Sequence, residues 1–104
     1  MARRIVWTVA CFQDLEHTYQ YIVLDSARYA KSFAAEVMRR VRWLRRNSDF
    51  GAVVPEFDDQ YIREVRVGRH RLIYKLADES AVLLGLIHGA RDLTSLWQQE
   101  RRPR

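Results

Sequence analysis

The chain has 104 residues, nearly half of them hydrophobic, which predicts one globular domain over residues 1–104 and excludes a disordered protein. One cysteine excludes an internal disulfide framework, and no apolar run approaches the ~18 residues of a membrane span, so we expect a cytoplasmic protein without a membrane partner. The net charge of +5 favours an acidic partner, either nucleic acid or an acidic protein.

The N-terminal segment predicts a strand followed by a helix. Residues 4–9 (RIVWTV) are β-branched and aromatic, which favours a strand. Thr8 is the predicted N-cap of a helix that runs to about Leu24. The buried face of this helix is predicted from apolar residues at three- and four-residue steps: Phe12, Leu15, Tyr19 and Ile22.

A second helix is predicted over residues 27–46, after a break at Asp25 or Ser26 that makes the two helices an antiparallel hairpin. Its predicted buried stripe is Ala27, Ala30, Phe33, Val37, Val41 and Leu44. Its last turns are basic, which indicates either a solvated face or a partner surface: Arg39, Arg40, Arg42, Arg45 and Arg46.

Residues 47–60 (NSDFGAVVPEFDDQ) predict a long loop without regular structure, a kind of connection that often has a function. Gly51 and Pro55 are its predicted turning points. Its apolar side chains are expected to pack onto the domain: Phe50, Val53, Val54 and Phe57.

Residues 61–93 predict three strands, followed by a short helical tail with Leu96 and Trp97. Gly68 and Arg69 predict a two-residue type II′ hairpin turn, which places Arg66 opposite Arg71. Residues 77–80 predict a four-residue loop that places Leu76 opposite Ala81. The third strand is apolar on both sides and is therefore expected inside the sheet.

Alternation along these strands predicts two different faces. The core face is expected under the helix hairpin and carries Val65, Val67, Leu72, Tyr74 and Leu76. The opposite face is expected to carry Ile62, Glu64, Arg66, Arg71, Ile73 and Lys75, and from the third strand Val82, Leu84, Leu86 and His88. A basic surface is therefore predicted, with Arg66 beside Arg71 and His88 nearby.

Two interpretations of the paired arginines stay open. Like charges opposite each other destabilise a sheet, so Arg66 beside Arg71 favours an external partner. Alternatively, Glu64 or Glu56 neutralises them in a structural cluster that holds the long loop against the sheet.

Candidate chemistry is confined to common residues. The scattered histidines and the absence of a glycine-rich phosphate loop predict neither a metal centre nor a nucleotide cofactor, and Cys11 is predicted to be core. RNA cleavage needs a base, an acid and cations that stabilise the phosphorane. The available acid–base groups are His88 and Glu56, and the available cations are Arg66, Arg71 and Arg91.

Four segments together resemble toxins of the RelE/ParE superfamily, from bacterial type II toxin–antitoxin modules. They are DLEHTYQYI, the loop from Phe50-Gly51 to VPE, IREVRVGRHRLIYKL and LLGLIHGARDL. The resemblance covers nearly the whole chain. It implies an α+β fold, in which an N-terminal strand and an antiparallel helix hairpin pack on one face of a small antiparallel sheet.

The two branches of the superfamily differ in their target. ParE-like members poison DNA gyrase without a recognised catalytic site, whereas RelE-like members cleave messenger RNA in the ribosomal A site. The ending IHGARDL resembles the ParE-like branch, which is the favoured interpretation. HRLIY and Pro55-Glu56 resemble YoeB-like ribonucleases, and by that match Glu56 is a candidate base and Arg71 a phosphate-stabilising cation.

Either branch implies a cognate antitoxin with a DNA-binding half and a disordered acidic segment that folds as it wraps the toxin. The other implied partners are DNA gyrase or, for a ribonuclease, the ribosome and its messenger RNA. A third interpretation is a degenerate, non-toxic module that serves only as a binding partner.

Overall fold

The computed structural model describes residues 2–89. Two helices pack on one face of a five-stranded sheet with the order β1-β5-β4-β3-β2. In chain order the elements are β1 (Arg4–Trp7), α1 (Val9–Val23), α2 (Ala27–Asn47), a 3₁₀ turn (Ser48–Phe50), β2 (Ala52–Val53), β3 (Ile62–Val67), β4 (His70–Leu76) and β5 (Ser80–His88).

The α+β class and the helix hairpin are confirmed, while the sheet itself is mixed. β1 runs parallel to β5, and all the other neighbouring strands are antiparallel. β5 lies between β1 and β4, so the third predicted strand is inside the sheet as expected. The helical tail predicted around Leu96 and Trp97 lies outside the described residues.

Both helices begin at a side-chain cap. Thr8 accepts a hydrogen bond from the backbone N–H of Cys11 at 3.1 Å, and its hydroxyl donates to the Leu83 carbonyl at 2.6 Å. Ser26 accepts from the backbone N–H of Tyr29 at 3.1 Å, which identifies Ser26 as the second cap. These bonds satisfy backbone groups that a helix leaves unpaired at its start.

The buried face of α1 differs from the prediction in the first turn of the helix. Cys11 is fully buried, as predicted for a core cysteine, and Leu15 and Ile22 pack against the core. Phe12 is 55% exposed, so its assignment to the buried face is wrong. The Thr8–Leu83 bond ties the start of α1 to β5, and Cys11 occupies the core position that was predicted for Phe12. In α2 the predicted stripe is confirmed except for Ala27, which is exposed at the first turn.

The sheet separates two apolar clusters. The helix face, which packs under α1 and α2, carries the five predicted core residues together with Ala81, Leu83 and Leu86. The opposite face, called here the loop face, carries a second cluster formed by Val54, Ile62, Ile73, Leu84 and Ile87 with Phe57 against it. Packing of Val54 and Phe57 confirms part of the loop prediction. The packing prediction was wrong for Phe50 and Val53, which are exposed. The short strand β2 replaces part of the expected irregular loop.

The hairpin between β3 and β4 has the predicted register. Val67 lies opposite His70 and Arg66 opposite Arg71. Gly68 has φ +59° and Arg69 does not have a positive φ, as a type II′ turn requires.

A β-bulge in β5 changes the faces of its last residues. Leu76 pairs with Ala81 as predicted, but Tyr74 pairs with Leu83 and Ile73 with Gly85, so Leu84 is an extra residue. Beyond it Leu86 and His88 lie on the helix face, and their predicted position beside Arg71 is wrong. The backbone N–H of Leu86 donates to Asp14 Oδ2 at 2.9 Å, which compensates the disrupted ladder.

Candidate functional site

Arg71 is the centre of a buried ionic cluster on the loop face. Its Nε and Nη2 donate to the two carboxylate oxygens of Glu64, and its Nη1 and Nη2 donate to those of Glu56, each at 2.8 Å. The residue is only 5% exposed. We call Arg71, Glu56 and Glu64 the Arg71 cluster. Four charge-assisted hydrogen bonds in a site that is partly shielded from water hold the three side chains firmly in place.

Strand register and loop packing bring the three side chains together. Glu64 pairs with Ile73, two residues along β4 from Arg71, so the two ionic side chains are diagonal neighbours on one face. Glu56 arrives from the loop, where Val54 is fully buried and its N–H donates to Ile62 at 3.1 Å. The cluster therefore holds this loop against β4, as the structural interpretation of the arginines expects.

The charges of the cluster stabilise one another. Hydrogen bonding to Arg71 lowers the pKa of Glu56, although partial burial of that carboxyl acts in the opposite direction. The two carboxylates raise the pKa of Arg71, so the guanidinium remains charged. A carboxylate in this state, with both oxygens already accepting hydrogen bonds, is a weak proton acceptor at neutral pH.

Arg66 lies beside the cluster but does not join it. It is exposed, and no side-chain hydrogen bond or ion pair links it to another of residues 2–89. Its guanidinium extends toward Gly89, where an added Cβ would lie 2.8 Å from Nη1. Gly89 thus leaves room for the arginine at the end of β5.

His88 lies on the other face of the sheet. It pairs across the strands with His70, and the two ring centroids are 5.4 Å apart. The His70 ring is in turn 4.9 Å from the Phe33 ring of α2. Burial, followed by the proximity of His88, lowers the pKa of His70. The sheet therefore separates His88 from Glu56 and Arg71, and Arg91 lies outside the described residues.

The fold gathers residues that the sequence left scattered. His17, His70 and His88 all line one groove of about 1170 Å³, which we call the histidine groove, and Asp14 lies in its wall. One residue of the sequence indicates the bulge that places His88 opposite His70. Gly85 lies in a strand interior, and such a glycine often marks a bulge.

Neither a metal-binding cluster nor a membrane span is found among residues 2–89. No three histidine, cysteine or acidic side chains in this part of the chain are placed to hold a metal ion. None of its helices is long and apolar enough to cross a membrane.

Comparisons with known proteins agree with the fold. Residues 5–93 match the family model described as ParE toxin of type II toxin-antitoxin system, parDE. A solved structure titled "Chromosomal ParDE TA system from P. aeruginosa" is similar with a TM-score of 0.68 and 18% identity. The match covers 84% of this chain and 96% of that one. No curated protein shows significant sequence similarity to the chain.

Proposed function

The chain belongs to the ParE toxin family of type II toxin–antitoxin systems, and we propose that it inhibits growth in the cytoplasm by binding DNA gyrase until a cognate antitoxin neutralises it. The family match covers residues 5–93 and so includes both helices and all five strands except Arg4, the first residue of β1. The action is binding, without a reaction catalysed by this chain.

The observation that carries the proposal is the separation of His88 from Arg71 and Glu56. Cleavage of RNA at this surface needs an acid and a base on the same side of one phosphate, within hydrogen-bond reach of the transferred protons. The bulge at Leu84 directs His88 to the helix face, while the carboxylate of Glu56 stays on the loop face. Acid and base thus lie on opposite sides of the sheet.

The state of the Arg71 guanidinium supports the same conclusion. A phosphate-stabilising arginine needs free N–H donors that face the substrate. Four bonds to Glu56 and Glu64 already engage Arg71, and its side chain is 6% exposed. Binding of an RNA phosphate there requires the loop at Glu56 to leave the sheet.

The charge of the chain supports neutralisation by an acidic antitoxin. The net charge is +5, and exposed arginines follow one another along the end of α2: Arg42, Arg45 and Arg46. The positive charge of these arginines attracts an acidic segment, which covers them when it folds on the toxin. The expected complex is a hetero-oligomer in which the other half of the antitoxin binds DNA.

Induction of the toxin in cells separates the two modes of action. We expect activation of the DNA-damage response, and primer extension should find intact messages. Codon-positioned cuts in translated messages would instead identify a ribosome-dependent ribonuclease. Normal growth without antitoxin would indicate a non-toxic binding module.

The Glu56→Gln variant is the matched control for this experiment. It removes the candidate base but leaves an amide that accepts a hydrogen bond from Arg71. Toxicity should be retained if gyrase binding is the action. Loss of toxicity in a folded Glu56→Gln protein would favour the ribonuclease.

A further inference from the structure

Most of the positive charge of the chain lies in one helix. α2 contains seven of the 18 basic residues and one of the 13 acidic residues, so it carries a net charge of +6. The rest of the chain, with 11 basic and 12 acidic residues, carries a net charge of −1. The positive field of the free protein therefore comes mainly from α2, and this field attracts an anionic partner to the helix.

Exposed basic residues form a straight stripe along α2. They recur at steps of three or four residues, with Ala35 between them, and therefore lie on one side of the helix. This side is opposite to Phe33, Val37 and Leu44, which are buried in the core. With a rise of 1.5 Å per residue, the stripe is about 27 Å long. We call these five residues the α2 stripe: Arg28, Lys31, Arg39, Arg42 and Arg46.

Most of the α2 stripe is not neutralised within residues 2–89. Glu36, the one acidic residue of α2, pairs with Arg39, and the two side chains are 45% and 58% exposed. Just beyond the helix, Asp49 pairs with Arg3 at 3.1 Å. The other four cations of the stripe form no side-chain hydrogen bond or ion pair in this part of the chain. Four exposed positive charges therefore remain for an external anion.

The composition of the α2 stripe favours a nucleic acid duplex as its partner. Protein interfaces have an apolar centre, whereas the centre of this stripe is the small residue Ala35. Single-stranded nucleic acids are bound by stacking of bases on aromatic rings. Trp43 of the same helix is packed against the core, and the Arg40 guanidinium lies 5.4 Å from its ring centroid. Rows of arginine and lysine without apolar or aromatic anchors are suited to backbone phosphates.

We propose that the α2 stripe binds the phosphate backbone of duplex DNA, without reading its sequence. This inference goes beyond the proposed function, because a toxin that binds gyrase needs no DNA contact of its own. DNA binding would keep the free toxin on the polymer on which its proposed target acts. The acidic antitoxin segment would cover the same side of α2, so DNA binding is a property of the free toxin.

The dimensions of the stripe agree with B-form DNA. A length of about 27 Å corresponds to about eight base pairs, at 3.4 Å for each phosphate along a strand. The major groove of B-form DNA is about 12 Å wide and admits a helix. The major groove of duplex RNA is deep and too narrow for side chains to read. A basic helix surface that faces away from the core therefore fits DNA better than duplex RNA.

Fluorescence anisotropy with the full chain and a labelled DNA duplex of about 20 base pairs measures this binding. The logarithm of the association constant should fall linearly with the logarithm of the salt concentration, with a slope of about −3.6 for four phosphate contacts. Arg42→Gln/Arg46→Gln should weaken binding at least about tenfold at 0.1 M salt and reduce the steepness of this slope by about 2. Circular dichroism should show wild-type helix content, because arginine and glutamine have similar helix propensities.

Arg66→Gln/Lys75→Gln is the matched control. These two side chains lie on the loop face, on the side of the sheet away from α2, and are exposed and partly exposed. Both double variants remove two positive charges and have a net charge of +3. The control should retain at least about half of the wild-type affinity, because exposed charges more than about 10 Å away are largely screened at 0.1 M salt.

Three results would overturn the proposal. Equal weakening in the two double variants would show an effect of net charge alone. Tighter binding of a duplex RNA of the same sequence would identify the stripe as an RNA surface, and tighter binding of polyglutamate would identify it as a surface for an acidic protein. Absence of DNA binding at low salt would also reject the DNA contact. The proposed action on gyrase would then still stand, because trapping of cleavage complexes tests it separately.

Discussion

Replacing Arg71 by methionine tests whether the Arg71 cluster holds the loop against the sheet. The substitution keeps an unbranched side chain of similar reach and removes the guanidinium. Glu56 and Glu64 would then face each other without a cation, with side chains 26% and 13% exposed. Two neighbouring carboxylates in this environment repel each other and lose four hydrogen bonds.

The magnitude follows from the burial of the three side chains. Removal of one partner from a buried ion pair costs about 3–5 kcal/mol of the free energy of unfolding. Glu56 is the most exposed member of the cluster and can turn toward water, which offsets part of the loss. We therefore expect Arg71→Met to cost about 3 kcal/mol, at the lower end of that range.

Urea denaturation followed by circular dichroism measures this cost. The control is a triple variant, Arg71→Met/Glu56→Gln/Glu64→Leu, in which no unpaired charge remains. Its stability should return to within about 1 kcal/mol of wild type, because neutral replacements of a buried ionic group often restore stability. A loss below about 1 kcal/mol in Arg71→Met would refute the reasoning, since exposed ion pairs contribute that little.

The remaining predictions concern one glycine and two titratable groups. Gly51→Ala should destabilise the protein by about 1–3 kcal/mol in urea denaturation, as overpacking does, because its Cβ would lie 2.0 Å from the buried Tyr74 hydroxyl. Adding Tyr74→Phe to the Gly51→Ala variant should lower the free energy of unfolding by less than Tyr74→Phe does in the wild-type chain. The pKa of Glu56 is lower in the folded chain than its ordinary value of 4.5. The ionised carboxylate therefore stabilises the fold above pH 4.5, and this stabilisation is lost as the pH falls through the lower, folded-state pKa. Glu56→Gln should reduce the loss of the free energy of unfolding at acid pH. The pKa of His70 is also lowered in the folded chain, so the unfolded chain takes up this proton at a higher pH than the folded chain does. The free energy of unfolding should therefore decrease as the pH falls through 6.5. His70→Gln should reduce this slope, whereas His17→Gln at an exposed position is the control; equal slopes in both variants would contradict the assignment.

Features that depend on neighbouring residues were predictable from the sequence. Thr8 forms its cap, and Gly68 and Arg69 form the turn that sets Arg66 opposite Arg71. Each of these depends on local backbone geometry and on a few adjacent side chains. The ion pair between Arg71 and Glu64 follows from that register, so the role of Glu64 as a counter-charge was also predictable from the sequence.

Features that depend on distant contacts were not predictable in the same way. The bulge at Leu84 is accompanied by a bond from Leu86 to Asp14, a residue of α1 far away in the chain. A single extra residue moved His88 to the other face, because side chains alternate along a strand. The exposure of Phe12 likewise reflects how the start of α1 sits against β5, where Thr8 contacts Leu83.

The short strand β2 also depends on contacts from outside its own segment. Arg63 donates to the carbonyls of Asp49 and Gly51, at 2.9 and 3.1 Å. The Tyr74 hydroxyl donates to the Ser48 carbonyl at 2.6 Å. These bonds satisfy backbone groups that would otherwise remain unpaired near the core, which is why the segment is more ordered than its composition indicated.

The most direct test of the central claim combines purified toxin, DNA gyrase and supercoiled plasmid. If the chain acts on gyrase, linear DNA from trapped cleavage complexes should accumulate with toxin concentration and disappear when antitoxin is added. Glu56→Gln and His88→Gln should trap the same amount as wild type, because neither residue has a chemical role in the proposed action. Unchanged plasmid topology at saturating toxin, together with cleavage of translated messages on ribosomes, would contradict the account.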